Sequence, residues 1–119
     1  MIKIVALLKR RPDVTLEEFC RYYEFEHAPL AARSLPPEVK SAIKRYVQNH
    51  ALRLGRSQTD PPYDCVTEIG FYDATGMELW NNWYLGEGGK VLRNDEENFM
   101  DPRQRVVIVT EEKDIGLSA

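Results

Sequence analysis

Four apolar β-branched residues in succession, Val106-Val107-Ile108-Val109, constrain this chain more than any other feature. A strand with one face in water alternates apolar and polar residues. A continuous apolar run reads instead as a strand covered on both faces. Residues 2–9, Ile2-Lys3-Ile4-Val5-Ala6-Leu7-Leu8-Lys9, form a second run of this kind, followed by turn-forming residues. A sheet built on these two strands needs shelter above and below.

The segments between them supply one shelter. Thr15-Leu16-Glu17-Glu18 is a capping box that opens a helix, and Leu16, Phe19, Cys20, Tyr23, His27 and Leu30 follow at helical spacing. Ser34-Leu35-Pro36-Pro37 ends it. Residues 43–54 read as a second strand, 55–62 as a polar hairpin-type connection, and 63–72 as a third strand. A second capping box, Thr75 to Glu78, opens another helix; Gly86, Gly88 and Gly89 interrupt this helical region and Asp101-Pro102 stops it. Residues 105–110 are the last strand. The order strand, helix, strand, strand, helix, strand predicts an α+β, ferredoxin-like βαββαβ fold, with helices on one face of a four-stranded antiparallel sheet. No composition shift or repeat divides the chain, so residues 1–119 are read as one domain. Its two helices cover only one face. A homodimer packed through the other sheet face is therefore expected.

Composition excludes other classes. The chain is 43% hydrophobic with a formal net charge of −3, and its pI is about 5.4. It has no basic footprint for nucleic acid, and the third strand lacks the Lys/Arg-Gly-aromatic run that stacks bases. No apolar run approaches the ~20 residues of a membrane span, so neither nucleic acid nor membrane is expected as a partner. The opening segment lacks a small-residue cleavage site, and Cys20 and Cys65 make neither a metal spacing nor a disulfide framework. A cytoplasmic location is the default expectation.

His27 is the leading chemical candidate. It lies on the core-facing stripe of the first helix, two residues before Pro29. The proline ring clashes with the Phe25 carbonyl and offers no donor, so a bend or an end is expected there. A shielded imidazole at a helix break suits acid–base work; the plainer reading is a core histidine bonded to a freed carbonyl. Tyr46, Gln48 and His50 alternate along the second strand and point to one side. If that side faces the helices, a second imidazole joins His27, and Tyr46 can donate to a developing enolate oxygen. Asp64 and Glu68 share a side of the third strand, and either could orient a histidine. With both histidines they could be drawn as a metal site, but the spacing gives no support, and no metal or cofactor is expected. Trp80, Trp83 and Phe99 are most simply core, yet flat apolar walls suit an aromatic ligand. With Gln48 and Asp64 they complete the expected substrate-binding set. Gly86, Gly88 and Gly89 could form a lid, and Asp95-Glu96-Glu97 reads as a solvated face.

Taken together, Lys3-Ile4-Val5-Ala6-Leu7-Leu8-Lys9-Arg10, Glu18-Phe19, Tyr22-Tyr23, His27-Ala28-Pro29, Arg45-Tyr46-Val47-Gln48-Asn49, Tyr63-Asp64 with Glu68, and Asp95-Glu96 with Phe99 resemble the EthD family of the dimeric α+β barrel superfamily. The resemblance covers nearly the whole chain and implies two sheets facing each other as a barrel, with a pocket in each subunit between sheet and helices. Relatives include a methylmuconolactone isomerase, polyketide cyclases, cofactor-free monooxygenases, and fungal decarboxylases and dehydratases. In the isomerase-like relatives a first-helix histidine and a second-strand tyrosine belong to the site, which matches His27 and Tyr46. The isomerase also has active-site cysteines, and Cys65 does not align clearly with one. The expectation is a small cofactor-free enzyme: an isomerase, cyclase or dehydratase moving a proton on an aromatic, polyketide-like or lactone compound. His27, Tyr46 and His50 would be catalytic. The alternatives are a non-catalytic small-molecule-binding or accessory protein on the same scaffold, and a cofactor-free monooxygenase.

Overall fold

A computed structural model describes residues 1–117. Strands β1 (Ile2–Leu8), β2 (Ile43–His50), β3 (Cys65–Phe71) and β4 (Val106–Glu111) form one antiparallel sheet in the order β2-β3-β1-β4. The ferredoxin-like α+β arrangement expected from the segment order is the one observed. β2 stops at His50, short of residue 54, where the Ala51 amide bonds the Asp64 carbonyl. The connection that follows contains Gly55 at a φ of 54°, a left-handed conformation that favours glycine.

Helices α1 (Leu16–Tyr22), α2 (Ala28–Ser34), α3 (Pro37–Ala42), α4 (Ala74–Leu85) and α5 (Lys90–Glu96) cover one face of the sheet. The first capping box forms: the Glu18 amide donates to Thr15 Oγ1 at 3.1 Å, and the Thr15 amide donates to the Glu18 carboxylate at 3.0 Å. The second does not. Asp73 caps α4 instead, accepting from the Gly76 amide at 2.8 Å, and Thr75 falls inside the first turn. Pro29 neither ends nor splits the helical run. A π turn, Tyr23–His27, joins α1 to α2, and the Ala28 amide donates to the Tyr23 carbonyl five residues back. Pro29 then lies in the first turn of α2, where its missing donor leaves little unsatisfied.

Register sorts the side chains. Ile4 lies opposite Ile69 and Val109, Ala6 opposite Thr67 and Val107, and Leu8 opposite Cys65. Tyr46, Gln48 and His50 lie opposite Ile69, Thr67 and Cys65. All of these face the helices. Leu8, Phe19, Tyr23, Cys65, Phe99 and Met100 form one buried cluster, and Ile4, Ile69 and Phe71 another.

The far face has no helix. Val5, Leu7, Val47, Val66, Val106 and Ile108 lie on it, beside Lys3, whose ammonium is 2.6 Å from both Glu68 and Glu112. Glu68 therefore points away from both histidines. β4 is an edge strand and, within one chain, is open on both faces: Val107 is 54% exposed and Ile108 48%. Burial of this run on both faces needs more than the chain itself supplies. Among the described residues no helix is long and apolar enough to cross a membrane.

Candidate active site

The helices arch over the sheet and leave a cavity of about 270 Å³ between the two layers. All four strands contribute to its floor, through Tyr46, Thr67, Ala6 and Val107, and its wall is largely apolar, with Ile4, Leu8, Ile69, Leu92, Met100 and Trp80. Asn81 and three clusters of polar side chains break that wall.

The first is built on His27. The π turn brings both Tyr23 and His27 to the buried side, and the imidazole packs on Phe99 with ring centres 5.1 Å apart. His27 is only 5% exposed and lines the cavity. Its Nδ1 lies 2.8 Å from Asp95 Oδ2. Asp95 also accepts from the Tyr22 hydroxyl at 2.6 Å and the Asn98 amide at 3.1 Å. Burial raises the Asp95 carboxyl, but these hydrogen bonds from Tyr22, His27 and Asn98 outweigh it and hold the group below the ordinary carboxylate range. An ionised carboxylate only accepts, so Nδ1 carries a proton, and in the neutral imidazole Nε2 is the nitrogen with the lone pair. Nε2 has no hydrogen-bond partner among the described residues, nor is it sealed off.

The second group is a chain of hydroxyls. Gln48 Nε2 donates to the Tyr46 hydroxyl at 3.2 Å, which donates to the Tyr23 hydroxyl at 2.9 Å; that oxygen lies 2.6 Å from Thr67 Oγ1. Burial pushes the phenols of Tyr23 and Tyr46 above their ordinary range, so both stay protonated at neutral pH. His50 Nε2 lies 2.8 Å from Gln48 Oε1. His50 and Gln48 line a shallow depression outside the cavity, with Glu24 and Ala28, and Tyr46 stands between the two spaces.

The third group is an ion pair. Glu96, 6% exposed, accepts from the Tyr84 hydroxyl at 2.6 Å and from Arg105 Nη1 at 2.9 Å. Burial and the adjacent Glu96 charge push the Tyr84 phenol upward.

Of the residues expected from sequence, His27, Tyr46 and Trp80 meet at the cavity. Gln48 supports Tyr46, and His50 supports Gln48 from the outside. Phe99 lies behind His27, and Trp83 packs on Trp80 at 5.8 Å without lining the cavity. Asp64 lies elsewhere: it is fully buried before β3 and accepts from the Arg10 amide at 2.7 Å and its guanidinium at 2.5 Å. That bond ties the end of β1 to the start of β3, so neither Asp64 nor Glu68 orients a histidine. Asp95 does so. Of its acidic run only Glu97 is solvated, since Glu96 is buried and Asp95 mostly so. Leu92, Glu96 and Phe99 recur at helical spacing, which was the available sign that Glu96 belongs to the buried stripe. The glycine segment is no open lid either. A Cβ at Gly88 would strike the Trp83 indole, and one at Gly89 the Tyr84 backbone, so these positions serve close packing. Among the described residues no group of His, Cys, Asp and Glu is placed to hold a metal ion.

A ferredoxin-like α+β domain, with a mainly apolar cavity and a histidine–carboxylate pair in its wall, is the class that fold and site define. Within that class the chain belongs to the EthD family: the EthD domain family model matches residues 11–103. An EthD-like protein from Ralstonia eutropha superposes with a TM-score of 0.67 at 17% identity, covering 92% of this chain and 89% of that one. An EthD family protein from Bacillus halodurans gives 0.65 at 18% identity, covering 95% and 99%. A dimeric protein of unknown function and ferredoxin-like fold from Bacteroides fragilis gives 0.51 at 12% identity, covering 93% and 95%. At these identities the likeness shows a shared fold. None of the curated proteins compared matches the sequence.

Proposed function

We propose that this protein is an enzyme that moves a proton at carbon on an apolar carbonyl compound, as an isomerase, cyclase or dehydratase does, using its own side chains. One observation carries the reading: an imidazole, oriented by an ionised carboxylate, stands in the wall of a ligand-sized apolar cavity. His27 Nε2 takes a proton alpha to the carbonyl, the C–H pair becomes the enolate C=C bond as the C=O π pair moves onto oxygen, and Asp95 stabilises the imidazolium. The Tyr46–Tyr23 hydroxyl pair supplies the donor for the enolate oxygen. In the free protein the Tyr46 hydroxyl donates to the Tyr23 oxygen, and the substrate oxygen replaces Tyr23 as its acceptor. Return of the proton to a different carbon completes an isomerisation.

The test is proton exchange. In D2O, 2-tetralone (a two-ring ketone with an acidic benzylic position) should exchange that position faster with the protein than without it, read by NMR. His27→Ala should lose roughly 100-fold or more of the enhancement at unchanged folding. Full exchange by that variant rejects the mechanism. Binding of the ketone without enhanced exchange favours the binding-protein alternative, and oxygen-dependent loss of the ketone favours the monooxygenase.

The same reading includes a dimer. The uncovered apolar far face and the dimeric state described for the Bacteroides fragilis protein support pairing through that face, giving a barrel with one cavity per subunit.

A further inference from the structure

We infer that Arg105 anchors a hydrogen-bond-accepting oxygen, a carbonyl or a carboxylate, on a ligand of one or two aromatic rings. The inference rests on the cavity being the ligand site of the proposed enzyme, and it narrows the substrate class of that site.

Size comes first. An engineered apolar cavity of about 150 Å³ holds one benzene. By that ratio a cavity of about 270 Å³ admits on the order of eleven non-hydrogen atoms. Its floor crosses all four strands, from Tyr46 on β2 to Val107 on β4, a width of three strand spacings or roughly 14 Å. Trp80, on the wall, is stacked on Tyr84 at 5.3 Å and 19°. A flat, elongated ligand of two rings fits such a space, whereas a larger ring system would have to project from it.

Polarity comes next. Arg105 lines the cavity and its side chain is 25% exposed. A guanidinium has five N–H donors. Nη1 alone serves Glu96 at 2.9 Å and the Tyr84 hydroxyl at 3.0 Å. Nε and Nη2 bond no described residue, and neither is sealed from solvent-accessible space. The clamp between α5 and the start of β4 thus uses one nitrogen and leaves the planar fork free. Paired with Glu96, the guanidinium is nearly neutralised, so a neutral carbonyl and a carboxylate are both admissible acceptors. Arg105 lies beyond residues 11–103, so the matched family pattern does not contain it.

The test compares naphthalene, 2-acetylnaphthalene and 2-naphthoate by equilibrium dialysis against the full chain. At least one oxygenated probe should bind roughly tenfold or more tighter than naphthalene, as a hydrogen bond to a charged donor supplies. Arg105→Gln should abolish that preference, so that the three probes bind alike. Arg105→Lys keeps the charge beside Glu96 without the planar fork, and it should also lose the preference; it stands in where Arg105→Gln does not fold. If 2-naphthoate is the preferred probe, Glu96→Gln should tighten it further by removing the opposing charge. Equal binding of all three probes, or a preference that survives in a folded Arg105 variant, overturns the anchor and leaves the His27 reading intact. Failure of every probe to bind removes the ligand cavity, and both readings with it.

Discussion

The central relation at the residue scale is between His27 and Asp95. An imidazole alone has two tautomers, and only the one with its lone pair toward the cavity can act as a base there. Asp95 selects it by accepting the Nδ1 proton. Asp95→Asn preserves shape but no longer favours that tautomer. Exchange of 2-tetralone should fall at least about tenfold while naphthalene binding holds, a loss in turnover without a loss in affinity. The same carboxylate makes stability depend on pH. Its folded value lies below its ordinary 3.8, so the unfolded chain takes up the proton first as acid is added. The stabilisation is complete above about pH 5 and is lost as the pH falls through the folded value. Melting temperatures of the native protein and Asp95→Asn should therefore converge on acidification from about pH 6 to pH 3. Tyrosines give an independent reading of the site. Burial raises Tyr23, Tyr46 and Tyr84, and the Asp95 hydrogen bond raises Tyr22. The phenolate absorbance of the native protein should rise at higher pH than that of the unfolded chain, and coincident curves would mean that these hydroxyls are hydrated.

Elements decide which of these residues could be recognised in advance. The strands were readable because β-branched runs carry their own periodicity, and the first helix because Thr15 and Glu18 cap it. The cap of α4 was misplaced by two residues. Asp73 accepts from the Gly76 amide at the positive end of the helix, which leaves Thr75 no free amide to cap. Asp73→Ala should cost about 1 kcal/mol, or roughly 4 °C in melting temperature, whereas Thr75→Ala should be nearly neutral; a thermal scan of both variants decides. The π turn was not readable. Pro29 announced a disturbance, but the choice between a break and a widened turn is made by packing, which keeps Tyr23 and His27 on one buried face. Asp95, Glu96 and Arg105 were missed for a similar reason. Charge in a sequence suggests water, and only the fold shows that Tyr22, Tyr84 and each other's charges replace it.

For the whole molecule, sequence and structure meet at β4. The run Val106-Val107-Ile108-Val109 implied cover on both faces, and the chain provides neither in full. Alternation along the strand assigns the two openings different uses. Val107 faces the helices and lines the cavity, while Ile108 faces the bare side, opposite Val5. These adjacent residues are almost equally exposed, 54% and 48%, so exposure alone would predict the same outcome for a charge at either position. The proposed dimer predicts opposite outcomes. In a two-fold pair each substitution on the far face occurs twice, and burying an isoleucine contributes roughly 1.5–3 kcal/mol, so Ile108→Glu should weaken association by several powers of ten. Sedimentation should then show a monomer at micromolar concentration. Val107→Glu should remain dimeric and lose affinity for 2-acetylnaphthalene, because its carboxylate enters the apolar cavity. A dimeric Ile108→Glu protein would mean that the far face does not form the interface, and the barrel would have to be discarded even though the cavity and its histidine stand.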